Sequence, residues 1–236
     1  MPITYVGAGA AVQTVTTTLT LEGHAASLPN DIHLAHIISI NNGAITAPDG
    51  TWSEISQSNF TGSRGAVFWK RITAAGAGSY DFGVAGTETS YGIVTAHRGC
   101  KVHGRPYGTS TTSSNGSADA ITYATLVPHS NNGSLLAVGF YAEDATTGGT
   151  VDGSNYTFAA PTVDTEQATN EDASIFVSIA PMTTNVATGA LSQTTTSTID
   201  AVNQGILIDL MSAETELGGG KGGVTYPRLE RSANRN

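Results

Sequence analysis

The residues best suited to chemistry are histidines, one cysteine and grouped carboxylates. His33 and His36 stand three apart, a spacing that on a helix would aim two imidazoles at one metal. They sit in Ile32–Ile40 (IHLAHIISI), an isoleucine-rich run between the turn signals Pro29-Asn30-Asp31 and Asn41-Asn42-Gly43. Such a run reads as a strand, where odd spacings point to opposite faces. The two are therefore expected to be separate, half-buried sheet histidines. His97, Arg98, Cys100 and His103 crowd another strand end, where a Cys–His nucleophile could form. Nothing nearby supplies an orienting carboxylate or an oxyanion motif. Glu143, Asp144 and Asp152 make one acidic loop; Asp164, Glu166, Glu171 and Asp172 make another. Their spacing matches no calcium loop, and they read as solvated. Trp52, Trp69, Tyr80, Tyr91 and Tyr156 could stack on sugar rings, but such residues more often fill a sandwich core. G-x-S-x-G, phosphate-loop and H-E-x-x-H patterns are missing from the sequence. The expectation is a protein with no catalytic site, cofactor or metal.

The elements that carry these residues read as β. Val12–Leu21 (VQTVTTTLTL) alternates apolar residues with threonine and is expected as one strand. Pro48-Asp49-Gly50 turns the chain into a short strand at Trp52. After a polar loop, Ala66–Ile72 puts Val67, Trp69 and Arg71 on one face and Phe68, Lys70 and Ile72 on the other. Tyr80, Phe82 and Val84 mark a half-buried strand, and Tyr91–Ala96 another. Thr109–Asn115 (TSTTSSN) reads as an exposed loop. Leu135–Tyr141, Ser174–Ala180 and Gly205–Leu210 then follow in the order of Ile32–Ile40, Ala66–Ile72 and Gly92–His97. An internal duplication explains this order; so does the plain recurrence of strand and turn in any antiparallel sandwich. Four or five strands per half predict an all-β, antiparallel, jelly-roll-like β-sandwich of two sheets. The expected organisation is a body over residues 1–213, with pseudo-repeat halves 1–110 and 111–213, and an extended Gly-rich arm over 214–236.

Composition narrows the function classes. Only 12% of the 236 residues are charged, against roughly 25% in an average globular protein. The net charge is −9; residues 1–213 hold 16 acidic and 6 basic side chains, which argues against a nucleic-acid binder. The single cysteine excludes an intrachain disulfide. The N-terminal stretch does not read as a secretory signal, and no run reaches the roughly 18 apolar residues of a membrane helix.

One group of motifs resembles a known family. Asp31 before an apolar strand, Pro48-Asp49-Gly50 with Trp52, Trp69-Lys70-Arg71, Ala77-Gly78 with Tyr80 and Phe82, and Arg98-Gly99 are similar to a β-sandwich family among structural proteins of tailed bacteriophages. The resemblance covers about residues 20–213; the family pattern carries Leu or Val where this chain has His33 and His36. It implies a non-enzymatic virion protein assembled in the host cytoplasm, most simply a capsid cement or decoration protein. Its expected partners are the major capsid protein or other virion proteins, and further copies of itself, a trimer being favoured; nucleic acid and membrane are not expected. The termini would reach over neighbouring subunits, with Lys221, Tyr226, Arg228, Arg231 and Arg235 of the arm as contact residues. The alternative is a tail- or fibre-associated module that binds host-surface glycans.

Overall fold

A computed structural model of the chain describes residues 2–84, 89–117, 120–142, 146–153, 155–167, 173–196 and 202–213. The first half supplies β1 (Thr4–Ala8), β2 (Val12–Thr14), β3 (Thr18–Glu22), β4 (Ile32–Ser39), β5 (Ser53–Phe60), β6 (Ser63–Arg71), β7 (Ser79–Gly83) and β8 (Ser90–Arg98). The second supplies β9 (Tyr107–Ser117), β10 (Ala120–Tyr123), β11 (Ser134–Ala142), β12 (Gly148–Asp152), β13 (Val163–Gln167), β14 (Ala173–Pro181), β15 (Leu191–Thr195) and β16 (Val202–Leu210). Among the described residues there is no α-helix.

The two halves share one plan. The first large sheet runs β1-β8-β4-β6-β5, with β2 also on β8, and the second runs β9-β16-β11-β14-β13. A small sheet accompanies each: β3-β7 in the first half and β10-β15-β12 in the second. Even β12 has a counterpart in Thr46, which bridges Gly83 of β7. Because β9 pairs with β16, the second half begins within residues 99–107, and a division at 110/111 would cut a strand.

The sheets stack in four layers, where two were expected from the strand count. In the middle, Leu34, Ile38, Val67 and Ile93 of the first large sheet meet Val138, Phe140, Ile175 and Ile206 of the second. On one outside, Leu19, Leu21, Tyr80 and Phe82 cover Ala35, Ile37, Phe68 and Val94. On the other, Ile121, Tyr123 and Leu191 cover Leu135, Tyr141, Phe176 and Leu207. Each large sheet is thus buried on both faces, which is why β4 and β11 are buried at every position and read as continuous apolar runs. The small sheets press on a glycine of the large sheet in each half. A Cβ on Gly92 would meet Leu19 and Leu21 at 3.0 and 3.1 Å; one on Gly205 would meet Tyr123 and Ile121 at 2.7 and 3.0 Å.

Three local expectations differ from the structure. Val12–Leu21 is two strands, because the Thr16 amide donates to Thr14 Oγ1 (3.2 Å) and Thr16 Oγ1 donates to the Thr18 carbonyl (3.1 Å). These local bonds replace ladder bonds and let the chain pass from the large sheet to the small one. The polar stretch after Trp52 is β5, joined to β6 through Thr61 and Gly62, whose φ values of 28° and 85° suit a tight hairpin. Thr109–Asn115 lies within β9, an edge strand whose polar side chains are bonded: Thr111 Oγ1 donates to the Ala124 carbonyl (3.0 Å) and Asn115 Nδ2 to Asn203 Oδ1 (2.8 Å).

Candidate functional site at the seam between the halves

The connection from β8 to β9 is pinned to the end of β16. The Lys101 amide donates to the Met211 carbonyl, the Met211 amide to the Pro106 carbonyl, both at 2.8 Å, and the Ala213 amide to the Gly99 carbonyl at 2.9 Å. Arg71 Nη2 donates to the Lys101 carbonyl (2.6 Å) and to the Gly104 carbonyl (3.3 Å). Five backbone carbonyls and three backbone amides are thereby satisfied, and a loop that would otherwise drift is held as a rim.

That rim presents positive charge. Lys101, Arg105, Tyr107, Gly108, His129 and Met211 line a cleft of about 210 Å³. The Arg105 guanidinium stands 5.1 Å from the Tyr107 ring centroid, which restrains its long side chain. Among the described residues neither Lys101 nor Arg105 has a carboxylate within ion-pair distance. Below the cleft, Asp209 is buried; its Oδ2 accepts the His129 amide, and burial pushes its pKa up. The neighbouring Arg98 is already committed: its Nε and Nη2 grip both oxygens of buried Asp31 at 2.9 and 2.7 Å. That bidentate pair ties β8 to the loop before β4.

Both described ends of the chain reach this seam. A Cβ on Gly99 would lie 2.7 Å from the Pro2 carbonyl oxygen, and Ala213 is bonded to the same glycine. Ala213, the last described residue, therefore lies beside the cationic rim. Lys221, Tyr226, Arg228, Arg231 and Arg235 lie outside the described residues. The halves also differ in charge despite their common plan. Residues 1–105 hold six acidic and six basic side chains, whereas residues 106–213 hold ten acidic ones and no lysine or arginine.

The residues singled out by type fall in different places. His33 and His36 do face opposite sides of β4, and both are fully buried, beyond the half-burial expected. His33 shares hydrogen bonds with Ser27 Oγ (2.7 Å) and the Tyr80 hydroxyl (3.1 Å), and burial lowers its pKa to about 4. His36 points into the middle layer and begins a chain that the spacing did not reveal. Its Nε2 meets Thr95 Oγ1 at 2.9 Å, and the same hydroxyl meets His97 Nε2 at 2.9 Å. One threonine proton serves one imidazole, so the other must donate to the oxygen. Neither Nδ1 has a hydrogen-bond partner among the described residues. Burial holds both imidazoles near pKa 3. The clue in the sequence was the alternation Thr95-x-His97 on one strand face, but the partner His36 is distant along the chain.

Cys100 is buried, and burial pushes its thiol up to about 12, the opposite of an activated nucleophile. Trp52, Tyr80, Tyr91 and Tyr156 are buried, so they pack cores and form no exposed stacking platform. Of the two acidic loops, Glu143, Asp144, Glu171 and Asp172 lie outside the described residues. Among the described residues no three histidine, cysteine or carboxylate side chains converge as a metal site.

No protein-family model, curated protein or solved structure matches this chain.

Proposed function

We propose that this chain is a non-enzymatic structural protein of a bacteriophage virion, a capsid cement or decoration protein that docks through its seam end. The observation that carries this reading is the convergence of Pro2 and Ala213 with Lys101 and Arg105 on one rim of an otherwise acidic molecule. A surface protein that clamps a shell needs a rigid body, a contact patch and chain ends that leave from the contact side. The four stacked layers supply the body, the rim supplies a patch for an acidic partner surface, and residues 2 and 213 leave from that side. The phage family resemblance of residues 20–213 points the same way.

The test uses purified particles stripped of the protein and re-decorated with the full chain, with gold-labelled antibody locating it. Label over the head is expected, with occupancy reduced at least tenfold by Lys101→Glu/Arg105→Glu and weakened by rising salt. Label at the tail, or full head occupancy by the double variant, would overturn the docking mode.

A further inference from the structure

We infer that the large sheets meet as the two subunits of a two-fold dimer would, so that the inner face of each half is a docking surface for a second copy of the same fold. The seam loop joins partners that recognise one another without it.

Two rungs cross the large sheets at equivalent positions. In the first half, Tyr91 pairs with Ile38, Ile38 with Gly65 and Gly65 with Ser58. In the second half, Gln204 pairs with Phe140, Phe140 with Ile175 and Ile175 with Thr165. Each rung thus runs β8-β4-β6-β5 or, in the same order, β16-β11-β14-β13. The contacts between rungs join opposite ends. The Tyr91 hydroxyl meets Thr165 Oγ1, and Gln204 Nε2 donates to Ser58 Oγ (2.6 Å) and the Ser58 carbonyl (3.3 Å). The first position of one rung touches the last of the other, and the reverse also holds. That reciprocity defines an isologous, two-fold contact.

The edges obey the same rule. Tyr5 of β1 donates to the Thr162 carbonyl beside β13, and Ser56 of β5 shares a bond (2.7 Å) with Thr112 of β9, the counterpart of β1. In the middle of the contact, Gly65 leaves room for the second half: a Cβ there would meet Phe140 at 2.8 Å and collide with Gln204. The symmetry is broken chemically. His36, Thr95 and His97 occupy the places that Val138, Ile208 and Leu210 take in the second half. The polar chain therefore lies on one side of the interface only, which favours pairing of unlike halves over like ones.

The test keeps the full chain. A protease site is inserted between His103 and Gly104, both exposed, and the folded protein is cleaved. The two pieces are expected to co-elute at the mass of the intact chain, and to regain that state after denaturation in urea and dilution. A permuted chain, with Asn236 joined to Met1 and opened at 103/104, is expected to match the parent in near-ultraviolet circular dichroism, since it only exchanges the order of two-fold partners. Separation of the cleaved pieces, or their failure to reassemble, would overturn the proposal even if the permutant folds. As a locator, Gly65→Leu is expected to weaken association of the cleaved pieces at least tenfold, while Thr20→Ala on the outer layer leaves it unchanged. Equal effects of the two would show that association does not run through the rungs. Particle binding plays no part in these readouts, so they stand apart from the docking test.

Discussion

Acid should loosen the middle layer, and the histidine chain sets by how much. An imidazole in the unfolded chain titrates near 6.5, whereas His36 and His97 are held to about 3 in the fold. A depressed histidine pKa means that the unfolded state takes up protons first. Stability is then complete above pH 6.5 and is lost as pH falls from there toward 3. At pH 5 the gap amounts to 1.5 units per histidine, or about 2 kcal/mol each at 1.36 kcal/mol per unit. The pair together accounts for about 4 kcal/mol, and His33, lowered to about 4, adds about 2 more. Against a total stability of about 5–15 kcal/mol, that is a large fraction. The perturbation is the triple variant His36→Val/Thr95→Ile/His97→Leu, which installs the residues that the second half carries at the same positions. Replacing all three leaves no orphaned hydroxyl or ring nitrogen. Urea unfolding at pH 7 and pH 5 measures the difference for both proteins. Asp209, whose raised pKa contributes with the opposite sign, is present in each and cancels. The wild type is expected to lose about 4 kcal/mol more than the variant over this interval. Equal losses would refute the assignment of acid sensitivity to this chain.

Gly205→Val should cost about 1–3 kcal/mol, since its Cβ would press on Tyr123 and on the Thr122 carbonyl oxygen at 2.8 Å, whereas Gly50→Ala, with open space around it, should stay within about 0.5 kcal/mol; thermal melts decide. Trp52→Ala should remove about 3–5 kcal/mol, because the indole packs edge-on against Tyr80 (4.9 Å) and Phe82 (5.1 Å) under the small sheet, as denaturant titration would measure. Cys100 should resist a thiol reagent at pH 8 in the native protein and react fully in urea; fast native labelling would contradict its burial and its pKa of about 12.

How much of this was legible depended on where each residue spends its side chain. β4, β11 and β16 announced themselves because both of their faces are covered, and a doubly covered strand has to be apolar throughout. That same signal implied more than two layers, but counting strands per half did not use it. β9 stayed hidden because an edge strand of Thr, Ser and Asn is held by its ladder with β16 and by hydroxyl bonds, neither of which leaves an apolar pattern. The break at Thr16 was invisible to alternation for a related reason: threonine serves both a strand and a turn. The seam was beyond reach, since Lys101 and His129 meet only after β9, β10 and β16 are placed. The His36–Thr95–His97 chain likewise exists only through the register of β4 on β8.

The unequal charge of two equally built halves has a consequence for motion before contact. A body whose residues 1–105 carry no net charge and whose residues 106–213 carry ten carboxylates and no lysine or arginine is unevenly charged between its halves. In the field of a charged surface such a molecule is turned while it still diffuses, so fewer collisions arrive wrong way round. Screening limits the range to about 10 Å at 0.1 M salt. Orientation would therefore be won in the last few water layers, and lost first when the medium becomes saline.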